Sequence, residues 1–238
     1  MSRPLLRSCA RRSAARPATE VENLAIDRAA AGTASVALFD LDLAADDLAG
    51  CHALLDPAER DRAARFRYSR DRDRFVARRG LTRLHLASAL GEAPYALTIA
   101  EDAHGKPFLP YHPGVDFSLS HSNGLALLAT IEGGAVGCDL EWRNPELACP
   151  GVAARLFAPD EVAALGALPP DRWVEGFFNC WTRKEAFVKA LGLGLSYPLD
   201  AFSVSVGDDA RFQRGAPGWS LLSFAPRPGF QAALVTRA

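Results

Sequence analysis

The chain has 238 residues, of which 49% are hydrophobic and 23% charged, and its formal net charge is −1. This is ordinary globular usage and excludes a disordered chain, a collagen-like fibre and a coiled coil; no run of ~18 uninterrupted apolar residues reads as a membrane span. With almost no net charge the whole molecule has no bias toward nucleic acid or acidic membranes, so electrostatic recognition has to be local.

Only three of the 27 basic residues are lysines, Lys106, Lys184 and Lys189. The cysteines Cys9, Cys51, Cys138, Cys149 and Cys180 are odd in number and form no CxxC pair. They read as reduced thiols in a cytoplasmic protein, not as a disulfide framework or zinc site.

In chain order, residues 1–19 hold five arginines and no acid. They lack the apolar core of a secretory signal. The composition fits a transit peptide and equally well a tail without a fold. The expectation is a basic, disordered extension over 1–34, of which residues 1–30 are dispensable. Folded structure is expected from Ser35, with Val36–Phe39 as a strand. Asp56-Pro57-Ala58-Glu59 is a helix start, with an N-cap, a proline at the first position and an acid at the third. From Glu59 to Arg83 ten arginines face four acids. A second helix is expected from Asp71 to Leu90, stopping at Gly91. Short strands follow over 97–99, 117–119 and 125–131, with turns at His104-Gly105 and Asn123-Gly124.

The order then repeats. Ala158-Pro159-Asp160-Glu161 opens a helix, a longer one runs from Asp171 to Leu191 and ends at Gly192, and strands follow over 202–206, 219–224 and 230–236. Gly124 and Gly229, each before a small apolar strand, are 105 residues apart, as are Leu97 and Phe202. The helix endings at Gly91 and Gly192 are 101 apart. The pattern predicts an α+β fold of two similar lobes, 35–131 and 132–238, each a small antiparallel sheet packed with helices and related by a pseudo-twofold. Ligand sites favour the cleft between such units.

Several segments carry chemistry. In Ala135–Trp142, read as a strand, Val136, Cys138 and Leu140 point one way and Gly137, Asp139 and Glu141 the other. Two carboxylates side by side suit a hard cation such as Mg²⁺, or a solvated strand face. On the helix through 177–190, Glu185 shares a stripe with Phe178, Trp181 and Val188, and Lys189 lies one turn on. Those two fit an exposed ion pair or a half-buried base or metal ligand. In Phe117–Gly124, His121 between Ser120 and Ser122 offers donors to an anion, or is a loop histidine. No Gly-x-Ser-x-Gly elbow makes either serine a nucleophile. The arginine-dense helices suit a polyanionic small molecule or a solvated basic face. Gly105-Lys106-Pro107 says little alone.

Together, Gly-Lys-Pro, Phe-Ser-Leu-Ser-His-Ser, Gly-Cys-Asp-Leu-Glu and Trp-Thr-Arg-Lys-Glu-Ala-Phe-Val-Lys-Ala-Leu-Gly, in that order, resemble the 4′-phosphopantetheinyl transferases of the two-lobed, surfactin-synthetase-activating (Sfp-type) class. The signature pair falls on Gly137/Asp139/Glu141 and Trp181/Lys184/Glu185/Lys189, and the resemblance spans residues 36–236. It implies transfer of the phosphopantetheine arm of coenzyme A to a serine of an apo acyl or peptidyl carrier protein, releasing 3′,5′-ADP. The resemblance implies Mg²⁺, with Mn²⁺ as a substitute, on Asp139, Glu141 and Glu185. It makes Glu185 and Lys189 catalytic, with Glu185 or a metal-bound water taking the serine proton. The coenzyme would be held by Arg62, Arg74, Arg79, Lys106, Pro107, Ser120, His121, Lys184 and Lys189. A monomer that binds neither nucleic acid nor membrane is expected. The competing readings are a Mg²⁺-dependent phosphodiesterase or nucleotide hydrolase, and an arginine-rich nucleic-acid-binding module.

Overall fold

The computed structural model describes residues 22–24 and 33–237. The first lobe is built on β2 (Ser35–Asp40), β5 (Val115–Ser122) and β6 (Leu125–Glu132), with β1 (Glu22–Asn23) along the outer edge of β2. The sheet order is β1-β2-β6-β5, antiparallel throughout. Helices α1 (Ala45–Ala53), α2 (Pro57–Ala64) and α3 (Ser69–Leu90) cover one face, and β3 (Ala100–Glu101) and β4 (Pro107–Phe108) form a small hairpin. The second lobe has β7 (Ala135–Trp142), α4 (Pro150–Leu156), α5 (Pro159–Gly166), α6 (Trp173–Leu191), the short pair β8 (Ser203–Val204) and β9 (Phe212–Arg214), then β10 (Ser220–Phe224) and β11 (Phe230–Arg237). Its sheet runs β10-β11-β7.

The duplication is real at the level of topology. In each lobe the chain runs strand, long helix, strand, strand, and the last strand lies between the other two. The glycines before β6 and β11, Gly124 and Gly229, both have positive φ, 85° and 82°. Both long helices end on a left-handed glycine at φ 70°, Gly91 and Gly192, a backbone state that costs glycine nothing. The register repeats too: Val36 pairs with Ala129 as Cys138 pairs with Leu234.

Both β2 and β6 are almost unbroken apolar runs because both faces of the sheet are covered. Phe39, Phe117, Ala126 and Leu128 pack under α3. On the reverse face, Val36, Leu38, Leu127 and Ala129 meet Val136, Cys138, Leu140 and Leu234 of the second sheet in one cluster. A third cluster packs α6, through Phe177, Phe187 and Val188, onto Ala233 and Val235.

Several expected boundaries move. Leu97 is buried in the first core, but the strand there begins at Ala100. The segment Pro170–Arg172 is a 3₁₀ turn, and α6 begins at Trp173. The strand expected over 202–206 is only Ser203–Val204. Helices α1 and α4 and strand β1 were not foreseen. Most of the expected 1–34 extension lies outside the described residues. Within it, Glu22 and Asn23 pair with Leu38 and Ala37, and Glu22 makes an ion pair with Arg227 of the second lobe.

Candidate active site

Strand β7 and helix α6 lie closer than side chains would normally permit, and glycine is the reason. A Cβ on Gly137 would stand 2.0 Å from the Ala186 carbonyl oxygen and 2.3 Å from the Ala190 nitrogen. With no side chain at 137, the helix drops onto the strand. Asp139 and Glu141, two and four residues on along the same face, are thereby brought beside Glu185 and Lys189. The cleft they form measures about 410 Å³ and is closed by Leu119, Ser120 and His121 from β5, Arg78 from α3 and Trp181 from α6.

Asp139 is 2% exposed. Its Oδ1 accepts from Lys189 Nζ at 2.7 Å and from Ser120 Oγ at 2.8 Å, while Lys189 Nζ also donates to Ser120 Oγ at 2.9 Å. Its Oδ2 is buried with no hydrogen-bond partner among the described residues. Glu141 accepts from Ser122 Oγ at 2.9 Å. Burial first, and the Asp139 charge second, push its carboxyl up to about 7, against the pull of Ser122, Lys189 and Trp181. Glu185 is raised for the same two reasons in the same order. Burial is the largest influence on Lys189 and works against its charge, but Asp139, Cys138 and Glu185 together outweigh it and hold the ammonium above its usual value. His121 is pushed down to about 4, by burial foremost and then by the Arg78 guanidinium. At neutral pH it is an uncharged imidazole with one N–H to offer. Among the described residues no three His, Cys, Asp or Glu side chains close on a single metal-sized point.

Two further hollows adjoin the cleft. One, of about 280 Å³, lies between Arg74, Arg78, His121, Phe66 and Phe75. Arg74 already forks onto Asp42 at 2.6 and 2.7 Å. The other, of about 180 Å³, is lined by Lys106, Pro107, Leu119, Lys189 and Gly192. Lys106 donates to Asp116 there at 2.7 Å.

Three of the expected coenzyme contacts stand elsewhere. Lys184 is fully buried. Its ammonium meets Glu161 at 2.8 Å and donates to the carbonyls of Leu199 and Phe202 at 2.6 and 2.9 Å, so its three donors are all engaged inside the second lobe. Arg79 is engaged by Glu59. Arg62 stacks over Phe75, 5.4 Å from the ring centre, and lines none of the three hollows. The duplication explains Lys184. In the first lobe Glu59 holds Arg83, which donates to the Leu97 carbonyl, and Glu59, Arg83 and Leu97 precede Glu161, Lys184 and Phe202 by 102, 101 and 105 residues. The same clasp ties helix to loop in both halves.

Arg78 is the residue that sequence reasoning missed. It lines both the main cleft and the Arg74 hollow. Burial, and then the charges of Arg79 and Arg62, pull its guanidinium down to about 10, and its Nε is buried without a partner among the described residues. The available signal was its place four residues after Arg74, on the same helix face.

The family model for the N-terminal region of 4′-phosphopantetheinyl transferases matches residues 44–133, and that for the 4′-phosphopantetheinyl transferase superfamily matches 135–226. A 4′-phosphopantetheinyl transferase of Bacillus subtilis is 33% identical over 171 residues, covering 72% of this chain and 75% of the relative. The 4′-phosphopantetheinyl transferase HetI of a Nostoc species is 36% identical over 200 residues, covering 82% and 84%. The transferase Sfp of Bacillus subtilis is 29% identical over 159 residues, covering 67% and 70%. The two family models meet where the two lobes meet, between β6 and β7, and the chain therefore belongs to the two-lobed, Sfp-type 4′-phosphopantetheinyl transferases, enzymes that move the phosphopantetheine arm of coenzyme A onto a serine of a carrier protein.

Proposed function

We propose that the cleft between the lobes is the site of this transfer. The observation that carries the assignment is the meeting of Asp139, Glu141, Glu185 and Lys189 with Ser120, His121 and Arg78 in one cavity. Coenzyme A brings a pyrophosphate and a 3′-phosphate. Arg78 offers its guanidinium to one anionic group, with Arg74 beside it held on Asp42, and neutral His121 adds a hydrogen bond. Lys189 and Lys106 present point charges to the others.

The donor chemistry of the acids suits a divalent cation, although the three carboxylates do not close on one metal-sized point in this structure. Asp139 Oδ2 is a buried oxygen with no hydrogen-bond partner among the described residues, and burial first and the Asp139 charge second raise both neighbouring carboxyls. All three donors are hard oxygens, the chemistry that Mg²⁺ takes, with Mn²⁺ as its substitute. Asp139, Glu141 and Glu185 would hold the ion, and when bound it supplies charge neutralisation to the phosphates and the departing nucleotide. The chain's own residues do the rest. The serine Oγ of the carrier bonds to the β-phosphorus, the bond to the oxygen of 3′,5′-ADP breaks, and Glu185 accepts the serine proton. A carboxylate raised by burial is the better base for that step. Lys189, tethered to Asp139 and Ser120, is placed to steady the phosphates. Positioning and electrostatics do most of the work, as in other phosphoryl transfers.

No described helix is long and apolar enough to cross a membrane. Cys51, Cys138, Cys149 and Cys180 are free thiols, in keeping with a reducing compartment, and the reading is of a monomer working in the cytoplasm on acyl or peptidyl carrier proteins. Incubation with coenzyme A, Mg²⁺ and an apo carrier, followed by mass measurement of the carrier, tests the proposal. A gain of one phosphopantetheine is expected. Free 3′,5′-ADP with an unmodified carrier would instead indicate a hydrolase.

A further inference from the structure

Strands β5 and β7 run side by side and parallel, yet they share no backbone ladder: among the described residues β5 pairs only with β6, and β7 only with β11. The inner edge of β7 therefore presents a row of N–H groups, at every second residue, that burial between the lobes would orphan. Side chains of β5 meet them. Val136 N–H donates to Asp116 Oδ2 at 2.8 Å, Cys138 N–H to Ser118 Oγ at 3.0 Å and Trp142 N–H to Ser122 Oγ at 2.9 Å. Each pair is separated by twenty residues. Lys106 braces the first of them by donating to the same Asp116 oxygen. Ser120 holds the remaining place in the row, opposite Leu140, but its Oγ turns instead to Asp139 Oδ1 at 2.8 Å.

We infer that Asp116, Ser118 and Ser122 form a side-chain seam that fixes the register of the second lobe against the first, and that Ser118 is thereby a positioning residue for the transfer. The physical requirement is strict. Side chains alternate along a strand, so a slip of one residue between β5 and β7 would turn Asp139 and Glu141 away from Ser120 and His121. Ser118 is the cleanest member: it is 4% exposed, lies outside the lining of the main cleft though it borders the Lys106 hollow, and holds the amide of the residue just before Asp139. The Phe-Ser-Leu-Ser-His-Ser segment thus divides its labour, with Ser118 and Ser122 joining the lobes and Ser120 and His121 facing the cleft. This inference rests on the assignment of that cleft as the transfer site.

The test compares the full-length chain with Ser118→Ala, with Ser118→Thr, which keeps the acceptor, and with Ser203→Ala. Ser203 has a buried Oγ with no hydrogen-bond partner among the described residues, and its variant is the control. Two readouts are taken: residue-resolved amide exchange at Cys138, and transfer kinetics well below the melting temperature. In Ser118→Ala, exchange at Cys138 should rise about ten-fold or more. Turnover should fall about ten-fold, as expected for a small misplacement of reacting groups, with KM for coenzyme A within about two-fold. Ser118→Thr should restore both readouts, and Ser203→Ala should change neither. Unchanged exchange at Cys138 would overturn the seam. Lost protection with normal turnover, or equal losses in turnover and coenzyme affinity, would overturn the positioning role. If the wild-type chain transfers nothing, the transfer reading itself fails, while amide exchange still reports on the seam.

Discussion

A lysine in a signature motif invites a catalytic role, and position 184 shows how burial redirects it. All three donors of Lys184 are engaged by Glu161 and two carbonyls. Removing one partner of such a pair leaves a charge uncompensated in the interior. Lys184→Met should cost about 3–5 kcal/mol of stability, read by urea denaturation, and Glu161→Leu added to it should not recover the loss, because Glu161 also accepts from the buried Ala158 and Val204 amides. At a temperature where Lys184→Met remains folded, coenzyme affinity should stay near wild type; a large drop in affinity at full stability would return the lysine to the phosphates. Asp139→Ala should abolish turnover while coenzyme A still binds through the arginines, and Mg²⁺-dependent activity near wild type would end the assignment. Residue spacing made Asp139, Glu141, Glu185 and Lys189 legible, because strand and helix periods fix which groups share a face. It could not separate Lys184 from Lys189, since burial of a lysine depends on which loop closes over it. Arg78 was hidden for a similar reason: one arginine among ten becomes special only through the strand packed beneath it.

Between elements, the decisive contact is β7 against α6. Gly137→Ala would drive a methyl into the helix backbone at Ala186 and Ala190. Overpacking of this kind costs about 1–3 kcal/mol. More tellingly, it should part the carboxylates on β7 from those on α6. The expected result is a modest loss in melting temperature with a far larger loss of turnover; loss of stability alone would mean the two elements can separate without harm. The elements were legible where punctuation was strong. The Asp56–Glu59 capping box forms as read, both bonds present, and the glycine stops at 91 and 192 hold. Short elements were not legible. Helix α4 has seven residues and β1 two, too few for any periodicity to show. The strand expected at Leu97 failed because its apolar residue packs into the core from a loop.

For the molecule as a whole, stability should depend on pH through a half-buried histidine. Burial lowers the pKa of His85, whose ring packs edge-on to Phe39. The native state therefore binds fewer protons than the unfolded chain below about 6.5. The His85 contribution is complete above that value and is lost as pH falls toward the folded pKa. Subtracting the melting-temperature profile of His85→Leu from that of wild type should leave a difference confined to this acidic window; a flat difference would show that the ring titrates as it does in water. The N-terminal segment also acts at this scale. A chain starting at Ala34 loses the pairing of Glu22–Asn23 with β2 and the Glu22–Arg227 ion pair across the lobes. At about 1 kcal/mol, that should lower the melting temperature by about 2–4 °C, and an unchanged value would show that the strap carries no load.

The repeated register has a consequence for stoichiometry. Because Val36 and Cys138 are equivalent in the two ladders, Ala37 and Phe39 occupy in β2 the places that Asp139 and Glu141 hold in β7. Likewise Leu84 and Ser88 stand where α6 has Glu185 and Lys189. One half of the duplication is armed with charge, and the other, with a methyl group and a phenyl ring at the same stations, is filled as hydrocarbon core. A molecule with two near-identical frameworks should therefore be functionally asymmetric. Calorimetric titration with coenzyme A should saturate at one equivalent per chain, and the second lobe should supply the acids to a ligand whose phosphates rest on arginines of the first.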